Sequence, residues 1–79
     1  MGTAESELEN EIYKAIDKLP DECRRVFAKS RFEGKSYEEI SRELGISVNT
    51  VKYHIKNALA SLHVDLSKYL LSLLLLFFR

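Results

Sequence analysis

Apolar residues recur along this chain at three- and four-residue spacing, and the polar residues between them mark where helices start and stop. Leu8, Ile12, Ile16 and Leu19 make a first stripe at helical period. Ser6-x-x-Glu9 reads as a capping box, in which hydroxyl and carboxylate satisfy each other's backbone N–H groups. Pro20 is expected to close that helix and take the first position of the next, where its missing N–H is no loss. Cys23, Val26, Phe27 and Ser30 form a second stripe, ended by Gly34, a residue suited to a left-handed cap. Ser36-x-x-Glu39 is a second capping box, opening a short helix with Tyr37, Ile40 and Leu44 inward and Gly45 at its end. Ser47 then caps a fourth helix whose stripe is Val48, Val51, Ile55, Leu59 and Leu62. No window alternates apolar and polar residues between turn signals, so no strands are expected. The fold class predicted is all-α: a four- to five-helix orthogonal bundle containing a helix-turn-helix, with an apolar C-terminal helix. Residues 1–6 read as a disordered leader or a non-native scar, 7–66 as the domain, and 67–79 as an apolar tail.

The stretch Ser36 to Leu62 carries the chemistry. A short helix, a tight turn at Gly45-Ile46-Ser47 and a longer helix make a helix-turn-helix. Ser41 is small enough for the second helix to approach, Gly45 supplies a positive φ, and Ile46 fills the elbow. With Val48, Val51 and Ile55 inward, the outward side of the longer helix presents Asn49, Thr50, Lys52, Tyr53, Lys56 and Asn57. That face holds hydroxyls, amides and cations without a carboxylate. Phosphates flank a helix in the major groove and repel acids, while base edges call for donors and acceptors. Duplex DNA is therefore the expected ligand, against the plainer reading of an amphipathic hairpin whose outer face happens to lack acids. Phosphate contacts are expected beside that helix, from Lys35 and from Ser36 and Tyr37 at the start of the preceding one, whose free N–H groups suit an anion. Arg24 and Arg25 could also reach the backbone, with Arg25 able to pair with an acid instead.

Composition alone points the other way. The chain has 79 residues, 12 basic and 12 acidic, and a formal net charge of zero, which taken at face value argues against nucleic acid. The neutrality is an average. Residues 1–23 set seven acids against Lys14 and Lys18, a net −5; residues 24–44 carry +2 and residues 45–79 carry +3. Such asymmetry suits a domain with different partners on different faces. The length allows one domain with a thin core and leaves little scaffold for a catalytic cleft. One cysteine excludes an intrachain disulfide and a Cys-rich zinc site and fits a reducing cytosol. The acidic start is the reverse of a secretory signal.

His54 and His63 lie nine residues apart with no carboxylate or thiol at ligand spacing beside either, so no metal is expected. Cys23 sits in an apolar stripe and reads as a small buried hydrophobe. Neither a phosphate-binding glycine loop nor a nucleophile elbow is present, so the chain reads as a non-enzyme without cofactors.

LPDECRRVFAKSRFEGKSYEEISRELGISVNTVKYHIKNALASL resembles region four of bacterial sigma factors, and within them the extracytoplasmic-function group. The likeness rests on Leu19-Pro20, the Arg-rich helix with Val26-Phe27, Glu33-Gly34, Ser36-Tyr37-x-Glu39-Ile40, Leu44-Gly45-Ile46-Ser47 and Thr50-Val51-Lys52. It implies a cytoplasmic domain that binds the promoter −35 element and contacts the β flap of the RNA polymerase core, with an anti-sigma factor as a further candidate partner. It also implies Lys52, Tyr53, Lys56 and Asn57 at the bases, with Ser47, Asn49 and Thr50 near the backbone. The output domains of response regulators and quorum-sensing regulators share Gly-Ile-Ser-x-x-Thr-Val-Lys-x-His. The long helix before Leu19-Pro20 and the Ser36-Tyr37 pair favour the sigma resemblance. A whole sigma factor also needs a domain reading the −10 element, so the chain is expected to be a fragment of one. A third reading is a protein-interaction module that uses the acidic helices and the tail.

Residues 69–78, YLLSLLLLFF, are apolar at nine positions in ten. Ten residues rise only about 15 Å as a helix, too short to cross a bilayer. The segment can pack on its own core, associate with a second copy or a partner, or lie at a membrane interface. Leu70, Leu71, Leu74, Phe77 and Phe78 are the expected contact residues, and a homodimer or higher assembly of the isolated chain is expected through them. Whether the fourth helix runs through His63-Val64, or breaks there with Asp65 capping a new one, is open from the pattern.

Overall fold

The computed structural model describes residues 3–67, and the side chains of these except at 3–6 and 8. Four helices follow one another: α1 (Thr3–Asp17), α2 (Asp21–Arg31), α3 (Tyr37–Leu44) and α4 (Val48–Asp65). No strand occurs among the described residues. The long α4 packs against each of the other three, and α2 also packs against α3.

Among the described residues twelve are buried and make one core, all of them apolar: Ala15, Ile16, Leu19, Cys23, Val26, Phe27, Ile40, Val51, Ile55, Ala58, Leu62 and Leu66. Ile12, Tyr37, Leu44 and Ile46 pack around its edge. The inward side of α4 corrects the sequence pattern at one position. Leu59 is exposed, and Ala58 is fully buried in its place. Both spacings satisfy a helical stripe, and the small alanine lets α4 lie close to its neighbours where a leucine would not fit.

The joints also differ in detail from expectation. Helix α1 begins at Thr3 and so takes in residues 3–6, placing Ser6 within the helix instead of at its cap. Pro20 stands at the N-cap of α2, one residue ahead of the first helical position. Its carbonyl accepts the Arg24 N–H at 2.8 Å. Helix α2 stops at Arg31 with Phe32 as its cap; Gly34, at φ 66°, lies in the following turn. There the Lys35 N–H returns to the Lys29 carbonyl at 3.0 Å. Phe32 stacks on Tyr13 of α1, with ring centroids 6.3 Å apart, and meets Phe27 edge-on at 6.5 Å, closing α1 against α2. Helix α4 runs without a break through His63 and Val64, and Leu66 caps it by donating its N–H to Leu62.

Candidate nucleic-acid interface

The helix-turn-helix is assembled by local hydrogen bonds. At the start of α3, the Ser36 hydroxyl accepts the Glu39 N–H at 3.1 Å, and the Glu39 carboxylate accepts the Ser36 N–H at 2.9 Å. The expected capping box is therefore complete. At the other end Gly45 takes φ 67° and ψ 36°, the left-handed region that an L side chain rarely enters. The Gly45 and Ile46 N–H groups both donate to the Ser41 carbonyl. The Ser41 hydroxyl in turn donates to the Ile46 carbonyl. Ser47 then caps α4: its oxygen accepts the Thr50 N–H at 3.0 Å and lies 2.9 Å from the Thr50 hydroxyl.

With Val51, Ile55 and Ala58 buried, α4 turns Asn49, Lys52, Tyr53 and Lys56 to solvent. Its first turn has no acid. Tyr53 is 61% exposed. Lys52 and Lys56 make no ion pair among the described residues. Asn57 is half-buried and faces a cleft that it shares with Tyr53, His54 and Cys23. His54 sets its ring edge against Tyr53, centroids 5.8 Å apart. Its backbone carbonyl accepts the Cys23 thiol at 3.3 Å, and burial pushes that thiol's pKa up. This α2–α4 link is invisible in sequence, since the two residues are 31 positions apart.

The residues expected at the phosphates are less free. Lys35 pairs with Glu43 and, at 3.5 Å, with Glu33. Its hydrogen bond to Glu43, aided by both negative charges, holds the ammonium pKa above the usual lysine value. Lys29 reaches Glu43 from the other side at 2.7 Å. Those two hydrogen bonds hold the Glu43 carboxyl below the usual range. Glu39 is also held low, chiefly by the Ser36 N–H, so the N-terminus of α3 already has an anion of its own. Arg24 donates to the Asp21 carboxylate at 2.9 Å and to the Asp17 and Leu19 carbonyls, which ties off the end of α1. Arg25 is exposed and makes no ion pair among the described residues. The sequence did carry a signal for this reversal: Arg24 follows Asp21 at i+3. Tyr37 packs half-buried at the core edge, while Ser47 and Thr50 satisfy one another. The interface residues assigned to the tail, Leu70, Leu71, Leu74, Phe77 and Phe78, lie outside the described residues.

No group of three or more His, Cys, Asp or Glu side chains is placed to hold a metal among the described residues. No helix among them is long and apolar enough to cross a membrane.

An ECF RNA polymerase sigma factor, SigE of Mycolicibacterium smegmatis, is 35% identical over 65 residues, covering 82% of this chain and 25% of SigE. Transcriptional activator protein CarR of Pectobacterium carotovorum is 38% identical over 61 residues, covering 67% of this chain and 25% of CarR. The chain thus spans about a quarter of the length of either relative. The family model for sigma-70, region 4 matches residues 9–62, from within α1 to near the end of α4. Its match takes in α3, the turn, most of α4 and eleven of the twelve buried core residues; the chain belongs to the sigma-70 region 4 family.

Proposed function

We propose that this chain is the promoter-reading module of an RNA polymerase sigma factor of the extracytoplasmic-function group, placing α4 in the major groove of the −35 element. The observation that carries this is the acid-free outward face of α4, with Asn49, Lys52, Tyr53 and Lys56 exposed behind a fully apolar buried face. Lys52, Tyr53, Lys56 and Asn57 read base edges. Asn49, Ser47 and Thr50, at the N-terminus of α4, meet the backbone. Lys35, Ser36 and Arg24 serve the same contact only by loosening the bonds that now hold them, and Tyr37 only by leaving the core edge, so Lys52, Lys56 and Asn49 supply the first contacts. The acidic α1 faces a different partner, the RNA polymerase core at its β flap, and an anti-sigma factor competes for that surface.

Titrating the chain against a promoter-like duplex by fluorescence anisotropy across salt concentrations tests this. The logarithm of the affinity should fall linearly with log salt, by about 0.9 per phosphate neutralised. No binding at low salt would leave a protein-interaction module. The likeness to CarR supports a second reading, the DNA-binding part of a transcriptional activator. Capture of the RNA polymerase core by the chain separates the two, because the sigma reading requires it.

A further inference from the structure

Four charged side chains from α2, α3 and the turn between them meet at one place. Lys29 comes from α2, Glu33 and Lys35 from the turn, and Glu43 from the last turn of α3. A single carboxylate is shared between two ammonium groups: Glu43 Oε1 accepts from Lys29 at 2.7 Å, and its Oε2 accepts from Lys35. Glu33 lies beside both, 4.0 Å from Lys29 and 3.5 Å from Lys35. Both lysines are half-buried, while Glu43 is exposed.

We infer that Lys29 and Lys35 form a site for one backbone phosphate of duplex DNA, and that Glu43 is a built-in competitor for it, exchanged for the phosphate when α4 docks. Two ammonium groups on two oxygens of one anion is an arrangement that suits a phosphodiester as well as a carboxylate. Position supports the same ligand. Lys35 directly precedes Ser36, the N-cap of α3, and the first helix of a helix-turn-helix crosses the DNA backbone. Glu43 lies four residues before Ser47, the cap of α4. The hydrogen bonds from Lys29 and Lys35 hold the Glu43 carboxyl below its usual range, so it is ionised near neutrality and competes there.

The inference rests on the DNA-binding role proposed above, and it adds Lys29 as a phosphate contact and Glu43 as a residue that limits affinity. Exchange is feasible because ion pairs at an exposed surface are weak, whereas a lysine meeting a duplex phosphate releases condensed counterions. Since one anion replaces another, the two lysines strengthen binding less than two unpaired cations would. Removing Glu43 should therefore raise affinity for any duplex alike, because a phosphate carries no base identity.

Four proteins test this by fluorescence anisotropy: the unaltered chain, Glu43→Gln, Lys29→Ala/Lys35→Ala, and the triple variant. The three positions lie outside the core, so each variant should fold, which circular dichroism melting verifies. Glu43→Gln should bind matched and scrambled duplexes several-fold tighter than the unaltered chain. Its log affinity should fall more steeply with log salt, by about 0.9 per phosphate newly neutralised. Both gains should vanish when the two lysines are alanine. An equal gain with and without the lysines would overturn the inference, since independent charges act additively and a shared site does not. No gain from Glu43→Gln, where the unaltered chain binds DNA, would overturn it and leave the reading role standing. Absence of duplex binding by all four proteins would overturn both.

Discussion

The Ser41 hydroxyl donates to the carbonyl of Ile46 across the turn joining α3 to α4, while the Ser41 carbonyl accepts the N–H groups of Gly45 and Ile46. One residue thus fixes the turn from both its backbone and its side chain. Ser41→Ala should cost about 1 kcal/mol, the net worth of one intramolecular hydrogen bond. In a domain of this size that lowers the melting temperature by about 4–8 °C. Ser41→Leu should cost more, because its bulk meets the elbow beneath α4. Thermal unfolding followed by circular dichroism measures both, and equal melting points for the two variants would contradict the tight turn.

Gly45 isolates a backbone effect from a packing effect. A Cβ built there meets nothing within 4 Å, yet φ is 67°. Gly45→Ala should therefore destabilise by about 1–2 kcal/mol through left-handed strain alone. Gly45→Asn should recover part of that loss, since asparagine tolerates this region better. Urea midpoints rank the three proteins, and an alanine as stable as the glycine would remove the strain argument.

Ile40 is the largest fully buried side chain among the described residues, at 0% exposure. Ile40→Ala should cost about 2–5 kcal/mol. Total stability for a chain this short is roughly 4–12 kcal/mol, so the variant should be partly unfolded at 37 °C. Loss of cooperative melting in calorimetry is the expected signature.

Glu39 and Glu43 make the domain acid-sensitive. Both carboxyls are held below the usual value in the folded chain, so the folded state binds fewer protons than the unfolded one in that region. Their contribution is complete above the unfolded value of about 4.3 and is lost as pH falls through the lowered folded values. Lys35 runs the opposite way: its folded value is raised, so its contribution is complete below the usual lysine value and disappears only in strong alkali. Urea midpoints should be level near neutrality and decline below about pH 4. Glu43→Gln should flatten part of that decline, and an unchanged acid limb would rule out the Lys29–Glu43–Lys35 cluster as its source.

Lys52 and Lys56 should separate affinity from specificity. Each alanine variant should weaken duplex binding, and a lysine that reads a base should cost about 1–3 kcal/mol at its preferred site. Tyr53→Ala should blur base preference. Anisotropy titrations on matched and scrambled duplexes measure this, and equal losses on both would assign the lysines to phosphates alone.

The helix-turn-helix was largely legible in the sequence because its signals are local. A hydroxyl three residues before a glutamate, or a glycine after a leucine, acts within one helical turn. Ser36, Glu39, Gly45 and Ser47 consequently take the positions the pattern gave them. The same locality misled at Ser6, where an equally good box lies inside α1. A capping pattern shows where a helix can begin, while neighbouring residues of high helical preference carry it further.

The charged residues were the least legible. Lys35 and Arg24 carry charge suited to phosphate, yet the fold turns one to Glu43 and the other to the end of α1. Their partners lie on neighbouring elements, and a long side chain chooses among acceptors only once those elements are packed. Leu59 and Ala58 differ for the same reason: periodicity allows either inward, and the packing of α4 on its neighbours buries Ala58 and leaves Leu59 exposed.

By itself the sequence determined the all-α class, the bounds of α3 and the start of α4, and the acid-free face of α4, since each depends on spacing along one chain. Tertiary structure alone decided which cations remain available, that Cys23 is tied to His54, and that Ala58 faces the core in place of Leu59. Those features exist only where α4 meets its neighbours, and packing, unlike helical period, is set by residues far apart in the chain.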